Sequence, residues 1–297
     1  MNKIYLQLSG GLGNQLFQFA FAKNLSIKLN RKLLIETRSG LNDRYLRKQE
    51  LPESLIRKYK NNSFIVYLIF KIEKFLKFFF KKKIITNRLW GIIYDDRYKI
   101  KFDKKFLSHI NNQKNIYIMG YYQSPKYFMD NLIEIKKSIM NSIKINFRYK
   151  KLFNIAKTKN SVAIGVRLYE EIAKNKLSAV GKIEKLKFYN ESIKKIYNKI
   201  KKPVFFLFCS HNSEFLKKLI FNKKTDIHFM LPERGINEIR STLYLFANCK
   251  NHIISNSSYY WWGYFLSNRN FSIISKKFMN KDCTKYQRNL DLKSKTL

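Results

Sequence analysis

The sequence predicts an α/β protein made of two halves, each with a parallel sheet. The chain opens with an apolar run, a glycine loop and a helical run, in the order of a β–α unit. From about residue 160 onward, short apolar runs alternate with amphipathic ones. Strands that alternate with helices imply right-handed crossovers and a parallel sheet. Because 297 residues suffice for two domains, we place a boundary near residue 150, which gives 1–150 and 151–297.

The N-terminal element is a predicted strand, Lys3–Leu8, followed by the glycine loop Ser9–Gln15 and a largely apolar helix. Glycines let backbone N–H groups approach a ligand closely, and a helix N-terminus favours an anion there. No Gly-Lys-Ser/Thr follows, and the spacing is not G-x-G-x-x-G. The loop is therefore either an anion-binding loop or a tight structural turn.

A basic, aromatic helix is predicted over residues 64–86. Lysines recur there at helical spacing (Lys71, Lys74, Lys77 and Lys81), with phenylalanines between them. Such a helix can lie in the headgroup layer of an anionic membrane. An ordinary surface helix with one buried face remains the alternative.

The second half has a regular pattern of predicted strands and helices. Strands are predicted at Ser161–Leu168, Pro203–Cys209, Asp226–Met230, His252–Asn256 and Phe271–Ser275. Helices are predicted at Phe188–Ile200, Ser213–Ile220, Ile236–Cys249 and Ser258–Leu266. Parallel sheets of this kind bind ligands beyond the carboxyl ends of their strands.

Two polar segments fall at such strand ends. Arg167 lies at the carboxyl end of the first predicted strand of this half, and Glu170 and Glu171 come just after it. An arginine there can hold a diphosphate, and a carboxylate can take a proton from a hydroxyl. A solvated ion pair is the alternative. The segment Ser255–Ser258 precedes a helix, as an anion cradle or as a simple helix cap. For Trp261 and Trp262, core packing is favoured over a stacking platform.

Charge and composition exclude several classes of protein. With 60 Lys and Arg against 20 Asp and Glu, the net charge is +40, which suits polyanionic partners or reflects compositional bias. A basic nucleic-acid-binding protein is the rival class, although no nucleic-acid motif is present. Three scattered cysteines and four scattered histidines predict neither a disulfide framework nor a metal site. We expect a cytoplasmic protein without a signal or membrane-spanning segment.

Four segments, taken together, resemble the bacterial α-1,2-fucosyltransferases of glycosyltransferase family 11. They are Ser9–Gln18, Gly120–Phe128, Val162–Glu170 and His252–Gly263, in that order along nearly the whole chain. The resemblance implies a GT-B fold, with two Rossmann-like domains facing a central cleft. It implies GDP-β-L-fucose as donor, no metal or other cofactor, and inverting transfer to the 2-hydroxyl of galactose in a surface glycan. A different GDP-sugar or deoxyhexose donor is the alternative.

The resemblance also implies roles for individual residues. Arg167 would bind the donor diphosphate and stabilise the departing GDP, and Glu170 would be the general base. Donor contacts are implied for Gly10, Gly11, Gly13 and Asn14, and for Asn256, Ser257 and Ser258. The expected partners are the GDP-sugar, a glycan acceptor that can be lipid-linked, and an anionic membrane in peripheral contact, without nucleic acid.

The chain departs from the family pattern in the third segment. Gly165 stands at the position of the motif's histidine, and Leu168 at that of its second arginine. One positive charge at the diphosphate is therefore missing, and Lys174 or Lys176 is a candidate to supply it. These departures affect the expected donor sugar and the expected linkage more than they affect the expected fold or reaction class.

Overall fold

The computed structural model describes residues 2–41, 48–80, 92–94, 102, 113–168, 184–209, 214–230, 236–268, 270–275 and 283. The chain divides into two compact units, Met1–Ser142 and Ile143–Leu297. Each has its own sheet and its own helices, so each is described separately.

The N-terminal unit contains a four-stranded sheet in which all the paired strands are parallel. Its strands are β1 (Lys3–Gln7), β2 (Lys32–Glu36), β3 (Ile92–Tyr94) and β4 (Asn115–Met119), in the spatial order β2-β1-β4-β3. Its helices are α1 (Leu12–Lys28), α2 (Glu53–Tyr59), α3 (Phe64–Phe80) and α4 (Leu132–Ser142). Helix α1 is buried over most of its first four turns, as expected for a mainly apolar helix that connects two strands of a parallel sheet.

The C-terminal unit contains a five-stranded parallel sheet. Its strands are β5 (Ser161–Gly165), β6 (Val204–Phe208), β7 (Ile227–Met230), β8 (Asn251–Ile254) and β9 (Phe271–Ile274). Its helices are α5 (Lys150–Thr158), α6 (Leu186–Lys199), α7 (Glu214–Lys217), α8 (Ile236–Asn248) and α9 (Ser258–Leu266). All the predicted strands and helices of this half are present, mostly a few residues shorter than expected.

The strand order of the C-terminal sheet is β7-β6-β5-β8-β9. Numbered within the unit, this is the order 3-2-1-4-5 of a Rossmann-like sheet, whose direction of winding reverses between its first and fourth strands. The central strand β5 and its neighbour β6 are buried along their whole length, which explains their unbroken apolar sequences.

The division between the units falls before Ile143, whereas the sequence pattern predicts it near residue 150. The connecting residues belong to the C-terminal unit because they bond to α8. The Asn146 N–H donates to Ser241 Oγ (3.1 Å), and the Asn146 amide donates to Glu238 Oε1 (2.9 Å). The Tyr149 hydroxyl also donates to the Glu238 carboxylate.

Candidate active site

The glycine loop follows β1 and leads directly into α1. Gly10 has φ +73°, and a β-carbon there would lie 2.6 Å from Asn14 Nδ2 and 3.2 Å from Tyr121 Cε1. Both the left-handed backbone and the lack of space therefore require glycine. Gly11 begins the helix without a capping side chain, and its carbonyl accepts from the N–H groups of Asn14 and Gln15.

Two buried glutamines of α1 hold this loop. Gln18 accepts from the Ser9 N–H (3.0 Å) through Oε1 and donates to Ser9 Oγ (2.8 Å) through Nε2. Gln15 donates to the Gly10 carbonyl (2.8 Å) and accepts from the Glu50 N–H (2.9 Å). Because both amides are fully buried and engaged on both sides, the loop is ordered before any ligand binds.

Glu50 is a residue that sequence reasoning missed. Its carboxylate is buried and accepts from the Leu12 N–H (2.5 Å) at the start of α1. An anion is favoured at a helix N-terminus, and here the chain itself supplies one. Glu50 lies in an unremarkable polar stretch, so only its long-range contact with α1 reveals this role.

The segment Gly120–Phe128 lies beside the glycine loop. Tyr122 adopts φ +49°, donates to the Met119 carbonyl (2.7 Å) and stacks on Phe21 with the ring centroids 4.2 Å apart. This turn directs Gln123 to Asn14, whose Oδ1 accepts from Gln123 Nε2 at 2.7 Å. The first two sequence segments therefore meet beyond β1 and β4, where the winding of the N-terminal sheet reverses.

The C-terminal unit has a corresponding polar cluster. Arg167 follows β5, and Ser255–Ser258 follows β8, so both segments lie at the reversal point of this sheet. Ser255 joins the two strand ends, because its hydroxyl donates to the Gly165 carbonyl at 2.8 Å. The reversal point of an open parallel sheet is the usual place for a ligand.

Gly165 and Tyr260 are closely packed at this reversal point. A β-carbon on Gly165 would lie 2.5 to 2.9 Å from three ring atoms of Tyr260. The Tyr260 hydroxyl contacts the carbonyls of Val166 (3.2 Å) and Phe208 (3.0 Å). The aromatic ring thus fills the space beside the position at which the family motif has histidine.

Two tyrosines surround the start of the Arg167 loop. Burial raises the pKa of Tyr260 well above its usual value, while the charge of Arg167 lowers it. Burial also raises the pKa of Tyr189, while the nearby Ser255 side chain and Arg167 backbone act in the opposite direction. Both phenols are therefore neutral at physiological pH and do not compete as anions for Arg167.

The start of α9 is the other part of this cluster. Ser257 is the N-cap residue, but its side chain makes no capping hydrogen bond, so the simple helix-cap interpretation is wrong for this residue. Asn256 and Ser257 are both largely buried. Trp261 and Trp262 are fully buried, with their ring centroids 5.4 Å apart, which confirms core packing.

Four of the residues proposed from the sequence, Glu170, Glu171, Lys174 and Lys176, lie outside the described residues.

A second carboxylate that the sequence did not single out, Glu184, is buried just before α6 and accepts from the Ser275 hydroxyl after β9. Within the described ranges, no group of three His, Cys, Asp or Glu side chains could hold a metal ion. Burial raises the pKa of the Cys249 thiol, which makes it a poor nucleophile.

Two units that each contain a parallel α/β sheet are the architecture of the GT-B glycosyltransferases, and the solved structures that this chain resembles are fucosyltransferases of that class. The structure is similar to that of a mutant of Arabidopsis thaliana FUT1 in complex with GDP, with a TM-score of 0.54 and 14% sequence identity. The match covers 92% of this chain and 70% of the FUT1 chain. It is also similar to that of the NodZ alpha-1,6-fucosyltransferase co-crystallised with GDP, with a TM-score of 0.52 and 13% identity. This match covers 90% of this chain and 92% of the NodZ chain.

The family model of Glycosyl transferase family 11 matches residues 3–293, and the chain belongs to this family. It is 26% identical over 282 residues to an alpha-1,2-colitosyltransferase of Escherichia coli, covering 92% of this chain and 90% of the relative. It is 25% identical over 290 residues to the O-antigen biosynthesis glycosyltransferase WbnK of Escherichia coli, covering 89% and 90%.

Proposed function

We propose that the protein transfers L-fucose from GDP-β-L-fucose, with inversion, to the 2-hydroxyl of a galactose residue in a bacterial surface glycan. The observation that carries this proposal is that β5 and β8 are neighbouring strands, so that Arg167 and Ser255–Ser258 both lie at the reversal point of the C-terminal sheet. A nucleoside diphosphate needs both a cation and backbone donors, and this strand edge has both. The GDP in the FUT1 and NodZ structures supports the same donor class.

In the C-terminal unit, Arg167 would stabilise the charge that develops on the departing diphosphate. Arginine can hold two phosphate oxygens at once, and its charge is permanent. The two neighbouring tyrosines are neutral and add no negative charge beside it. Asn256, Ser257 and Ser258 would present amide and hydroxyl groups, together with the start of α9, to the same donor.

In the N-terminal unit, Gly10, Gly11, Gly13 and Asn14 would contact the donor through a preformed loop. Glu50 already supplies a carboxylate at the Leu12 N–H. We therefore assign this loop a role in shape and neutral hydrogen bonding, with the diphosphate charge assigned to Arg167.

Glu170 would act as the general base that removes the proton from the acceptor hydroxyl, an assignment that rests on the family resemblance. A positioned carboxylate contributes about a hundredfold or more to such a step. We propose that the reaction needs no metal, since Arg167 and the helix N-terminus would carry the leaving-group charge.

A second donor, GDP-colitose, is favoured by a specific finding. One relative, 26% identical, is an alpha-1,2-colitosyltransferase. Colitose is L-fucose without the 3-hydroxyl group, so a site that tolerates this absence could use either sugar. The altered positions Gly165 and Leu168 are where such a difference in donor would be sought first.

We further propose that the acceptor is a lipid-linked intermediate of a surface glycan, processed on the cytoplasmic side of the membrane. WbnK, the second relative, is an O-antigen biosynthesis glycosyltransferase, which supports an acceptor of this type.

A donor panel tests the proposal. The purified protein is incubated with a galactose-terminated acceptor and, separately, GDP-fucose, GDP-colitose and GDP-mannose, with and without EDTA. We expect a deoxyhexose adduct by mass spectrometry, an α-1,2 linkage by NMR, and no effect of EDTA. Arg167→Ala should abolish turnover, whereas the exposed Lys195→Ala serves as a charge-matched control. Transfer of mannose alone, or loss of activity with EDTA, would refute the proposal.

A further inference from the structure

Helix α3 is apolar on two opposite sides. One side is buried: Val66 and Phe70 pack against Tyr5, Tyr117 and Met119 of the N-terminal sheet. The other side is exposed, and it consists of Phe64, Ile65, Leu68, Ile72 and Phe75, whose exposed fractions run from 38% to 70%. We call these five residues the outer stripe.

The outer stripe is a continuous feature of the helix. Ile65, Leu68, Ile72 and Phe75 follow one another at intervals of three or four residues, so they share a face. At 100° per residue, this face lies roughly opposite the buried one. An ordinary surface helix presents polar residues to water on its outer side, so the apolar stripe marks an interaction surface.

Positive charge lies along one flank of the stripe. Lys71 and Lys74 are both exposed. Lys71 Nζ lies 5.5 Å from the ring centroid of Tyr67, and the guanidinium of Arg38 lies 4.9 Å from the same ring. Glu73, the only acidic residue of α3, is on the buried side. Arg38 is ion-paired with the buried Glu36 carboxylate (3.0 Å), so the positive charge on this flank comes mainly from Lys71 and Lys74, in a chain whose net charge is +40.

We propose that the outer stripe docks on an anionic lipid bilayer, with α3 parallel to its surface. The large apolar side chains would enter the boundary between headgroups and acyl chains, while Lys71 and Lys74 would contact lipid phosphates. An apolar face flanked by cations fits this partner because it matches both the hydrocarbon and the charge of the surface. Among the described residues, no helix is long and apolar enough to span the membrane.

This contact refines the expectation for residues 64–86. That expectation was based on four lysines, of which Lys81 lies outside the described residues. The structure gives the main role to exposed apolar residues, with Lys71 and Lys74 in support. The proposal depends on α3 alone, so it can fail or stand independently of the proposed donor and acceptor.

Vesicle co-sedimentation of the full chain tests it. Vesicles of phosphatidylcholine alone are compared with vesicles that also contain phosphatidylglycerol. The variant Ile65→Ser/Leu68→Ser/Ile72→Ser should bind anionic vesicles at least about tenfold more weakly. Its matched control, Ile133→Ser/Phe147→Ser/Ile220→Ser, removes three apolar side chains elsewhere that are on average more exposed than those of the stripe, and it should bind as the unmodified protein does.

A second set of variants tests the contribution of the lysine charges to vesicle binding. Lys71→Gln/Lys74→Gln should lose about fivefold in affinity per lysine at low salt, and less at high salt. Lys194→Gln/Lys195→Gln removes two exposed lysines from α6 as the control. Thermal melting of each variant establishes that it is folded.

Three results would overturn the proposal. The first is that the unmodified protein does not bind anionic vesicles. The second is that the outer-stripe variant and its control bind equally, which would assign binding to general surface charge. The third is that the outer-stripe variant converts a dimer into a monomer without changing vesicle binding, which would make the stripe a self-association surface.

Discussion

Replacement of Gly165 by alanine tests whether the Tyr260 ring shapes the reversal point of the C-terminal sheet. The added β-carbon would lie 2.5 Å from the nearest ring atom, so Tyr260 must move. Its movement would also weaken the hydroxyl contacts with the Val166 and Phe208 carbonyls. Overpacking of this kind costs about 1–3 kcal/mol. For a unit of this size, the melting temperature should fall by about 2–12 °C.

Tryptophan fluorescence follows this unfolding, because Trp261 and Trp262 are buried in the helix that carries Tyr260. A double-mutant cycle isolates the clash: in a Tyr260→Leu background, Gly165→Ala should lower the melting temperature much less. Tyr260→Phe serves as the control that retains the ring and removes only the hydroxyl. Equal destabilisation by Gly165→Ala in both backgrounds would refute this account of the pair. GDP affinity, measured by calorimetry, should fall together with the melting temperature.

Four further predictions concern the site and its supports. Arg167→Ala should weaken GDP binding by about tenfold or more, measured by calorimetry, because a charge-assisted hydrogen bond is lost; unchanged affinity would exclude the assigned role. Glu170→Gln should lower kcat about a hundredfold without changing the melting temperature, and near-normal kcat would remove it as the base. Gln123→Ala should raise the donor KM by freeing Asn14 from its 2.7 Å hydrogen bond, whereas an unchanged KM would separate Asn14 from donor binding. The pKa of Tyr149 is raised to about 12, first by burial and then by its hydrogen bond to Glu238. The stabilisation by the neutral phenol is therefore fully present below pH 10 and is lost as the pH rises through 12. Over that interval the stability of Tyr149→Phe should fall less steeply than that of the unmodified protein, and parallel stability curves would contradict this.

The second half of the fold follows closely from the sequence because its signals are local. Strands β5 and β6 are buried on both faces, and each is a short, unbroken apolar run between polar segments. Helix α6 has a clear amphipathic pattern, with Tyr189, Ile193 and Ile196 buried. The periodicity of the sequence is sufficient to predict an element when each of its faces keeps the same environment along the whole length.

Elements of the first half were missed because their environments are mixed. Strand β2 has exposed, partly buried and buried residues within five positions, and α2 has only seven residues. Helix α3 shows the limit of periodicity most clearly. An apolar outer stripe and an apolar inner face give similar sequence signals, so only the structure identifies which face the core buries.

The site was predictable in part, for a related reason. Arg167 and Ser255–Ser258 directly follow strands, so their position at a sheet edge is a consequence of topology. The contacts Gln123–Asn14 and Glu50–Leu12 join residues 109 and 38 positions apart. No local pattern encodes such separations, and these contacts determine how rigid the glycine loop is.

The described buried carboxylates bear on the role of Glu170, because the chain has only 20 acidic residues against 60 basic ones. Glu36 accepts from the N–H groups of Arg38 and Ser39, and Glu50 accepts from Leu12. Glu238 and Glu184 each accept from a hydroxyl group. Four of the five buried acids in the described part of the chain thus order loops and helix ends, so burial by itself does not indicate a catalytic acid. The small number of acidic residues therefore does not by itself make Glu170 catalytic. A catalytic role rests on the family pattern, and on loss of kcat without loss of stability when its basicity is removed, because a structural carboxylate would alter both.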